Sequence, residues 1–341
     1  MDDKKKKKLV WQLPFLALLI IGSVLIVAQQ HAMPYQHDTG MVFGTVYNIT
    51  YQSDKDLKQD IEAELQKVDN SLSPFNKSSI ISKINRNENP EVNDMFAEVF
   101  NLAEKVSGET GGAFDITVAP LVNMWGFGTK QFHRPDRESV DSLMKFVGFN
   151  KVVMRNKHVQ KQNPNIQLDC SGIAKGYGCD VVARFFRSKG IKNFMIEIGG
   201  EIVTSGNNEK RLPWSIGVTK PTDDSLQASQ ELQTVLNVTD KAMATSGNYR
   251  NFYMDGNRKL AHTIDPHTGY PVQHSLLSST VLASDCATAD AYATAFMVLG
   301  IDKAKKVLEH HPELMAYFIY AGKDGKMQVW FSPSLKDKIA N

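Results

Sequence analysis

Two short spacings in this sequence place side chains that can do chemistry. In L-D-C-S-G-I-A-K-G, residues 168–176, a carboxylate (Asp169) closes an apolar run and an ammonium (Lys175) follows six residues later, with Gly172 and Gly176 flanking Ile173 and Ala174. Burying Ile and Ala while keeping Asp, Ser and Lys among glycines suits a backbone shaped around a polar ligand. The plainer alternative is a strand ending in an Asp or Ser helix cap, with Lys175 in solvent. Asp290 and Thr294 stand four apart in A-D-A-Y-A-T-A, so on a helix they share a face. Both offer hard oxygen, which magnesium prefers and takes from few protein groups plus substrate phosphate. The competing reading is an acid in a helix's first turn and a packed threonine.

His262 is the candidate general base, because an unperturbed imidazole titrates close to working pH, and Asp265 could orient it. A strand-end histidine bonded to backbone is the alternative. Ser246 in T-S-G-N-Y invites a Ser-His-Asp triad, but no G-x-S-x-G elbow surrounds it. A Walker A loop, a G-x-G-x-x-G fingerprint and H-E-x-x-H are also missing, so any nucleotide here is bound by something other than the common nucleotide folds. The stretch Thr110–Gly128 mixes glycines, the aromatics of W-G-F and one acid, Asp115. Glycines permit close backbone approach and aromatics stack on planar ligands, while the same composition also makes a loop pinned to the core by Trp125 and Phe127.

These residues need elements to position them. Alternation of Phe43, Thr45, Tyr47, Ile49 and Tyr51 predicts a strand over 41–51. Helical spacing predicts helices from Leu57 to about Asn70, through Ile80, Ile81 and Ile84, over 94–106 and around 141–147. Strands are expected at 151–155 and 165–169, then a helix carrying Tyr177, Val181 and Phe185 that stops at Gly190. Further strands are expected at 193–198, 214–219, 231–238, 242–245 and 276–283, with a turn at Asp255-Gly256. Helices over 287–299 and from Asp302 precede a closing hairpin, 314–321 with 326–331, turned by Asp324-Gly325. Helices and strands mix without a strict βαβ repeat, so the fold class is α+β, with mixed or antiparallel sheets flanked by helices.

The chain has 341 residues, 42% of them hydrophobic, and a net charge of +2, of which five lysines lie at Lys4–Lys8. That leaves the remainder near neutral and argues against nucleic-acid binding. Cys170, Cys179 and Cys286 are odd in number and lack metal-ligand spacing, so neither a disulfide framework nor a zinc site is expected. After the basic tail (1–8), the apolar run 9–28 is long enough to cross a bilayer. The lysines should stay cytoplasmic and everything after Gln29 be exported. An uncleaved anchor is favoured over a cleaved signal, followed by a linker (29–40) and one working domain (41–341).

Six segments in order resemble the ApbE family, whose members are FAD:protein FMN transferases. They are T-G-G-A-F-D-I-T-V-A-P-L-V-N-M-W-G-F-G, L-D-C-S-G-I-A-K-G, I-G-G-E, T-S-G-N-Y, H-T-I-D-P-H-T-G-Y-P and A-D-A-Y-A-T-A-F-M-V-L-G. The match runs from about Met41 to Phe331 and implies a two-lobed domain with its site in the cleft. The resemblance implies magnesium-dependent cleavage of the FAD pyrophosphate and transfer of FMN through a phosphoester to a threonine hydroxyl, releasing AMP. It also implies acceptors on exported parts of sodium-pumping NADH:quinone reductase or Rnf complexes, and a place at the inner membrane facing the periplasm. By position, Phe43, Phe75, Ala113, Phe114, Asp115, Asp169, Lys175 and Ile264 would contact the flavin nucleotide. Asp290, Thr294 and the Gly172 carbonyl would hold magnesium, and His262 would activate the acceptor hydroxyl. Phenylalanine stands at 43 and 75 where methionine and tyrosine also occur, so stacking is kept and a tyrosine's hydrogen bond is lost. Two other activities remain open to the same residues: FAD pyrophosphatase action giving free FMN and AMP, and exported flavin binding without turnover.

Overall fold

A computed structural model describes residues 12, 14–26, 33–128, 135–221, 231–248, 252–255 and 258–340. Its centre is an eight-stranded sheet in the order β1-β2-β5-β6-β9-β12-β13-β14, every neighbouring pair antiparallel. The strands are β1 (Tyr35–Val42), β2 (Thr45–Gln52), β5 (Phe194–Ile198), β6 (Glu201–Ser205), β9 (Lys241–Gly247), β12 (Leu276–Ala283), β13 (Met315–Ala321) and β14 (Met327–Phe331). Three two-stranded ribbons complete the β structure: β3 (Val152–Arg155) with β4 (His158–Lys161), β7 (Trp214–Thr219) with β8 (Leu232–Val238), and β10 (Phe252–Asp255) with β11 (Arg258–Ala261). The α+β expectation holds.

Register decides which face each side chain serves. Ile202, Met243 and Leu282 are cross-strand neighbours and all point toward the β7–β8 ribbon. One residue along, Val203, Ala242 and Ala283 point the other way, into the helical layer. That layer holds α1 (Lys58–Leu72), α2 (Ile80–Asn85), α3 (Asp94–Glu109), α6 (Ala174–Ser188), α7 (Cys286–Leu299) and α8 (Ile301–His310); two short helices, α4 (Ala119–Met124) and α5 (Arg137–Met144), lie in the stretch between α3 and β3. Helix α7 is apolar nearly all round and packs on β9, β12 and α6, as a fully enclosed helix must. Its alanines let α6 come close: a Cβ on Gly176 would overlap the Cys286 carbonyl. Helix α6 stops where expected, with Gly190 at φ +76° and Ile191 N–H donating to Phe186 O at 3.0 Å, a Schellman ending.

The structure departs from the sequence reading in several places. Tyr35–Val42 is the edge strand, so the folded domain takes in part of the expected 29–40 linker. The strand expected over 41–51 is broken by a turn at Phe43-Gly44, both left-handed (φ +51° and +76°), although Tyr47, Ile49 and Tyr51 are buried in alternation as predicted. Residues 165–169 form no strand, because their backbone groups pair with a side chain and a loop. Leu168 exchanges two hydrogen bonds with the Asn85 side chain (2.7 and 2.9 Å), and Asp169 N–H donates to Ile116 O at 2.7 Å. Finally, β4, β6 and α4 are elements that the sequence reading leaves out. Residues 14–26 are helical, the ends of the 9–28 segment and the basic tail lie outside the described residues, and no helix among the described residues is long and apolar enough to cross a membrane. The Asp255-Gly256 turn also falls partly outside them, though β10 and β11 do pair as a hairpin.

Candidate active site

The loop at 168–172 runs straight into α6. Ile173 and Ala174 N–H both donate to Cys170 O, closing the turn that starts the helix. Asp169 accepts from Ser171 N–H (2.8 Å) and Ser171 Oγ (2.5 Å) through one oxygen, forming a turn. It does not cap α6, which begins after Ile173 with no side-chain cap, and Lys175 is ion-paired instead of solvated, so the plainer reading is not what forms. It also lines a cleft of about 220 Å³ with Phe75, Asn85, Arg86, Asn123 and Leu168. Phe75 stands 64% exposed at that cleft, where its ring is available for stacking. Phe43 lines a separate cleft with Tyr47, Glu62 and Asp69, and its ring packs over Gly178 of α6.

Helices α6 and α7 bring the proposed metal ligands together. Gly172 abuts Thr294 and Phe114: a Cβ there would lie 3.2 Å from Thr294 Oγ1 and 3.3 Å from the Phe114 ring. Asp290 is 3% exposed, and its Oδ2 accepts from Gly176 N–H at 3.1 Å. Thr294 Oγ1 lies 3.2 Å from Ser246 Oγ on β9, so the serine of T-S-G-N-Y is a neighbour of this donor set and not a nucleophile in a triad. Lys175 forms an ion pair with Glu201, itself 2% exposed. Burial pulls the Lys175 pKa down, but Glu201 and Asp290 outweigh it and hold the ammonium above its ordinary range. Burial pushes both carboxylates up, and Lys175 opposes the rise in each.

One partly buried ammonium against two buried carboxylates leaves the centre short of positive charge, which is costly in a low dielectric. Carboxylate, hydroxyl and carbonyl oxygens around a glycine cradle fit magnesium by donor type. Among the described residues no group of three or more His, Cys, Asp and Glu could hold a metal, so an ion here would lean on hydroxyl, carbonyl and substrate oxygens.

Four residues expected at the flavin, Ala113, Phe114, Asp115 and Ile264, have side chains buried within the fold. Asp115 Oδ1 accepts from Thr117 N–H and Oγ1 (2.8 and 2.7 Å) and Oδ2 from Phe149 N–H (2.8 Å), which commits the carboxylate to the chain. Burial raises its pKa, with Thr117 acting against the rise. Ala113 and Phe114 are buried too, and the Phe114 ring forms a wall against Gly172. Ile264 is buried with Leu121, Trp125 and Val140 and bridges Pro271, so its side chain serves the core.

His262 is half-buried, its ring edge-on to Phe127 at 6.3 Å. Asp265 does not orient it as expected. The Asp265 carboxylate accepts from His267 N–H (2.9 Å), faces His267 Nδ1 (3.0 Å) and accepts from Thr268 Oγ1 (3.2 Å), knitting the D-P-H-T turn. Trp125 and Phe127 clamp this region: Trp125 Nε1–H donates to Gly269 O at 2.8 Å, and Phe127 packs on Tyr253 at 4.9 Å. Trp125 and Phe127 thus pack as the loop-pinning reading of W-G-F has it; residues 129–134, which follow, lie outside the described residues. Glu201 and Ser246 are the site neighbours that sequence reasoning did not assign. The signal for Glu201 was I-G-G-E, a glycine turn delivering an acid at the head of the next strand.

A large antiparallel sheet backed by helices, with a hard-oxygen cradle at the junction of α6 and α7, defines the class. The profile of the ApbE family matches residues 43–318, and the chain belongs to that family. It is 32% identical over 328 residues to an FAD:protein FMN transferase of Escherichia coli K12, covering 92% of each chain. It is 36% identical over 306 residues to one from Vibrio cholerae, covering 86% of this chain and 90% of the relative. The structure of the flavin transferase ApbE from Vibrio cholerae superposes with a TM-score of 0.80 at 35% identity, covering 90% of this chain and 99% of that one. The Thermotoga maritima ApbE protein gives 0.79 at 27% identity, with 90% and 100% coverage.

Proposed function

We propose that this chain is an FAD:protein FMN transferase that moves FMN from FAD to a threonine hydroxyl of a partner protein with magnesium. The observation that carries the magnesium reading is the cradle of buried Asp290 with half-buried Gly172 and Thr294 beside the Lys175–Glu201 pair. When bound, magnesium neutralises pyrophosphate charge at the scissile bond. Lys175 adds a fixed cation on the same group, and Phe75 stacks on the nucleotide at the mouth of the adjoining cleft. His262 takes the proton of the threonine hydroxyl, a weak nucleophile without a base. The threonine oxygen bonds to the FMN phosphorus as the bridging P–O bond breaks, and AMP leaves with the electron pair. Residues 9–28 hold the enzyme at the inner membrane with the domain on the periplasmic side. Its acceptors are exported parts of membrane redox proteins of the sodium-pumping NADH:quinone reductase or Rnf type.

Incubating the full-length protein with FAD and magnesium, with and without an acceptor domain, tests the reading. Flavin fluorescence that stays with the denatured acceptor on a gel is the expected result. Free FMN and AMP without labelled acceptor would mean that water, and not threonine, takes the phosphoryl group.

A further inference from the structure

Glu201 opens β6 immediately after the Gly199-Gly200 turn, in which both glycines are left-handed (φ +62° and +103°). Its backbone is fixed by that turn, by Gly200 N–H donating to Glu197 Oε1 at 2.9 Å, and by Cys179 Sγ donating to the Glu201 carbonyl at 3.2 Å. Its side chain points inward to Lys175, whose other acidic neighbour is Asp290. One ammonium thus has two carboxylates within its field, and they make opposite demands. An ammonium seated on Asp290 occupies oxygen that a metal ion needs. Seated on Glu201, it leaves that oxygen available.

We infer that Glu201 is a positioning residue that holds the Lys175 ammonium off Asp290, keeping Asp290 available to magnesium and Lys175 aimed at the FAD pyrophosphate. The inference rests on the magnesium assignment proposed above. Its physical ground is that a cation largely withdrawn from water (the Lys175 side chain is 31% exposed) turns, once deprived of its partner, to the nearest remaining anion. With the Glu201 charge removed, that anion is Asp290, and lysine and metal then compete for one carboxylate. Glu201 therefore governs metal affinity without touching the metal. Removing the lysine as well lifts the competition.

The test is calorimetric titration of Mn2+ into FAD-free, full-length protein: wild type, Glu201→Gln, Lys175→Met and the double variant. Glu201→Gln should weaken Mn2+ binding about tenfold, since it leaves a partly buried ammonium to find a new partner. The double variant should return to within about threefold of wild type, a coupling that independent sites cannot produce. Glu201→Gln binding like wild type, or a folded double variant as weak as Glu201→Gln, overturns the inference. If Glu201→Gln does not fold, the folded double variant decides by itself: near-wild-type affinity supports the inference and weak binding overturns it. Wild type that binds no Mn2+ overturns the metal assignment beneath it, a distinct outcome.

Discussion

Replacing Gly172 by alanine should damage the chemistry before the fold, and the structure sets the scale. Gly172 lies outside the left-handed region, so alanine meets no backbone strain there. Its new Cβ would come to 3.2 Å from Thr294 Oγ1 and 3.3 Å from both Thr294 Cγ2 and Phe114 Cε2, a few tenths of an ångström inside ordinary contact. Overpacking of this kind costs about 1–3 kcal/mol, offset by about 0.4–1 kcal/mol because alanine restricts the unfolded chain. The net loss is roughly 0–2.6 kcal/mol, which in a domain of this size lowers Tm by less than about 10 °C. The relief must come from Thr294, a proposed metal ligand and the owner of the nearest atom, and from the Phe114 ring beside it. A displacement of 1 Å in a catalytic group costs about a hundredfold, so a shift of a few tenths should cost roughly tenfold in rate. Raised magnesium should recover part of that loss. Gly176→Ala is the contrast: its Cβ would overlap the Cys286 carbonyl and the Ala287 nitrogen, backbone atoms that cannot rotate away, so α6 and α7 must part. Thermal melts and FMN-transfer rates across a magnesium series, for both variants, give the comparison. Gly172→Ala with an unchanged magnesium requirement, or with a larger drop in Tm than Gly176→Ala, would refute the reasoning.

His262→Ala should keep FAD affinity within a few-fold and slow transfer by about 10²–10⁴, the usual worth of a general base, as read by FAD fluorescence titration and single-turnover kinetics. Loss of FAD binding instead would make the histidine structural. Trp125→Phe keeps the ring packing on Tyr270 and removes the donor to Gly269 O, so it should destabilise the fold by about 1 kcal/mol in a denaturant melt. Asp180 links stability to pH. It is buried, accepts from Cys286 and Ala287 N–H at the start of α7, and burial raises its pKa to about 7. Between the ordinary carboxylate range and about pH 7 the folded state holds this proton and the unfolded state does not, so the group's contribution to stability falls as pH rises through that window. Asp180→Asn should flatten that part of the stability–pH curve; an equal slope in both proteins would contradict the assignment.

What could be read from the sequence was what local pattern controls. The Asp290–Thr294 spacing was legible because a helix puts residues four apart on one face wherever it packs. Alternation in β2 and the Gly190 stop of α6 are equally local. The Asp169–Ser171 turn read as a helix cap, but α6 begins after Ile173 with no side-chain cap. What escaped depends on partners distant in sequence. Nothing near Asp115 announces that Phe149 N–H will take its second oxygen, and nothing near Ile264 says that Trp125 and Val140 will enclose it. Asp265 lies three residues from His262 yet turns to His267, because an aspartate bonds most easily to the backbone two residues on. Residues 165–169 read as a strand, but Asn85 had already met their hydrogen-bonding needs from across the chain. Glu201 escaped for a different reason. Its meaning lies wholly in the ion pair with Lys175, 26 residues earlier, which only the packing of β6 against α6 reveals.

The most direct measurement is mass spectrometry of an acceptor domain after incubation with full-length enzyme, FAD and magnesium, with AMP counted in the same reaction. The account predicts that the acceptor gains one FMN residue on a threonine, that one AMP appears per flavin attached, and that Asp290→Ala abolishes both. AMP and free FMN accumulating over an unmodified acceptor, or an Asp290→Ala enzyme as active as wild type, would contradict it.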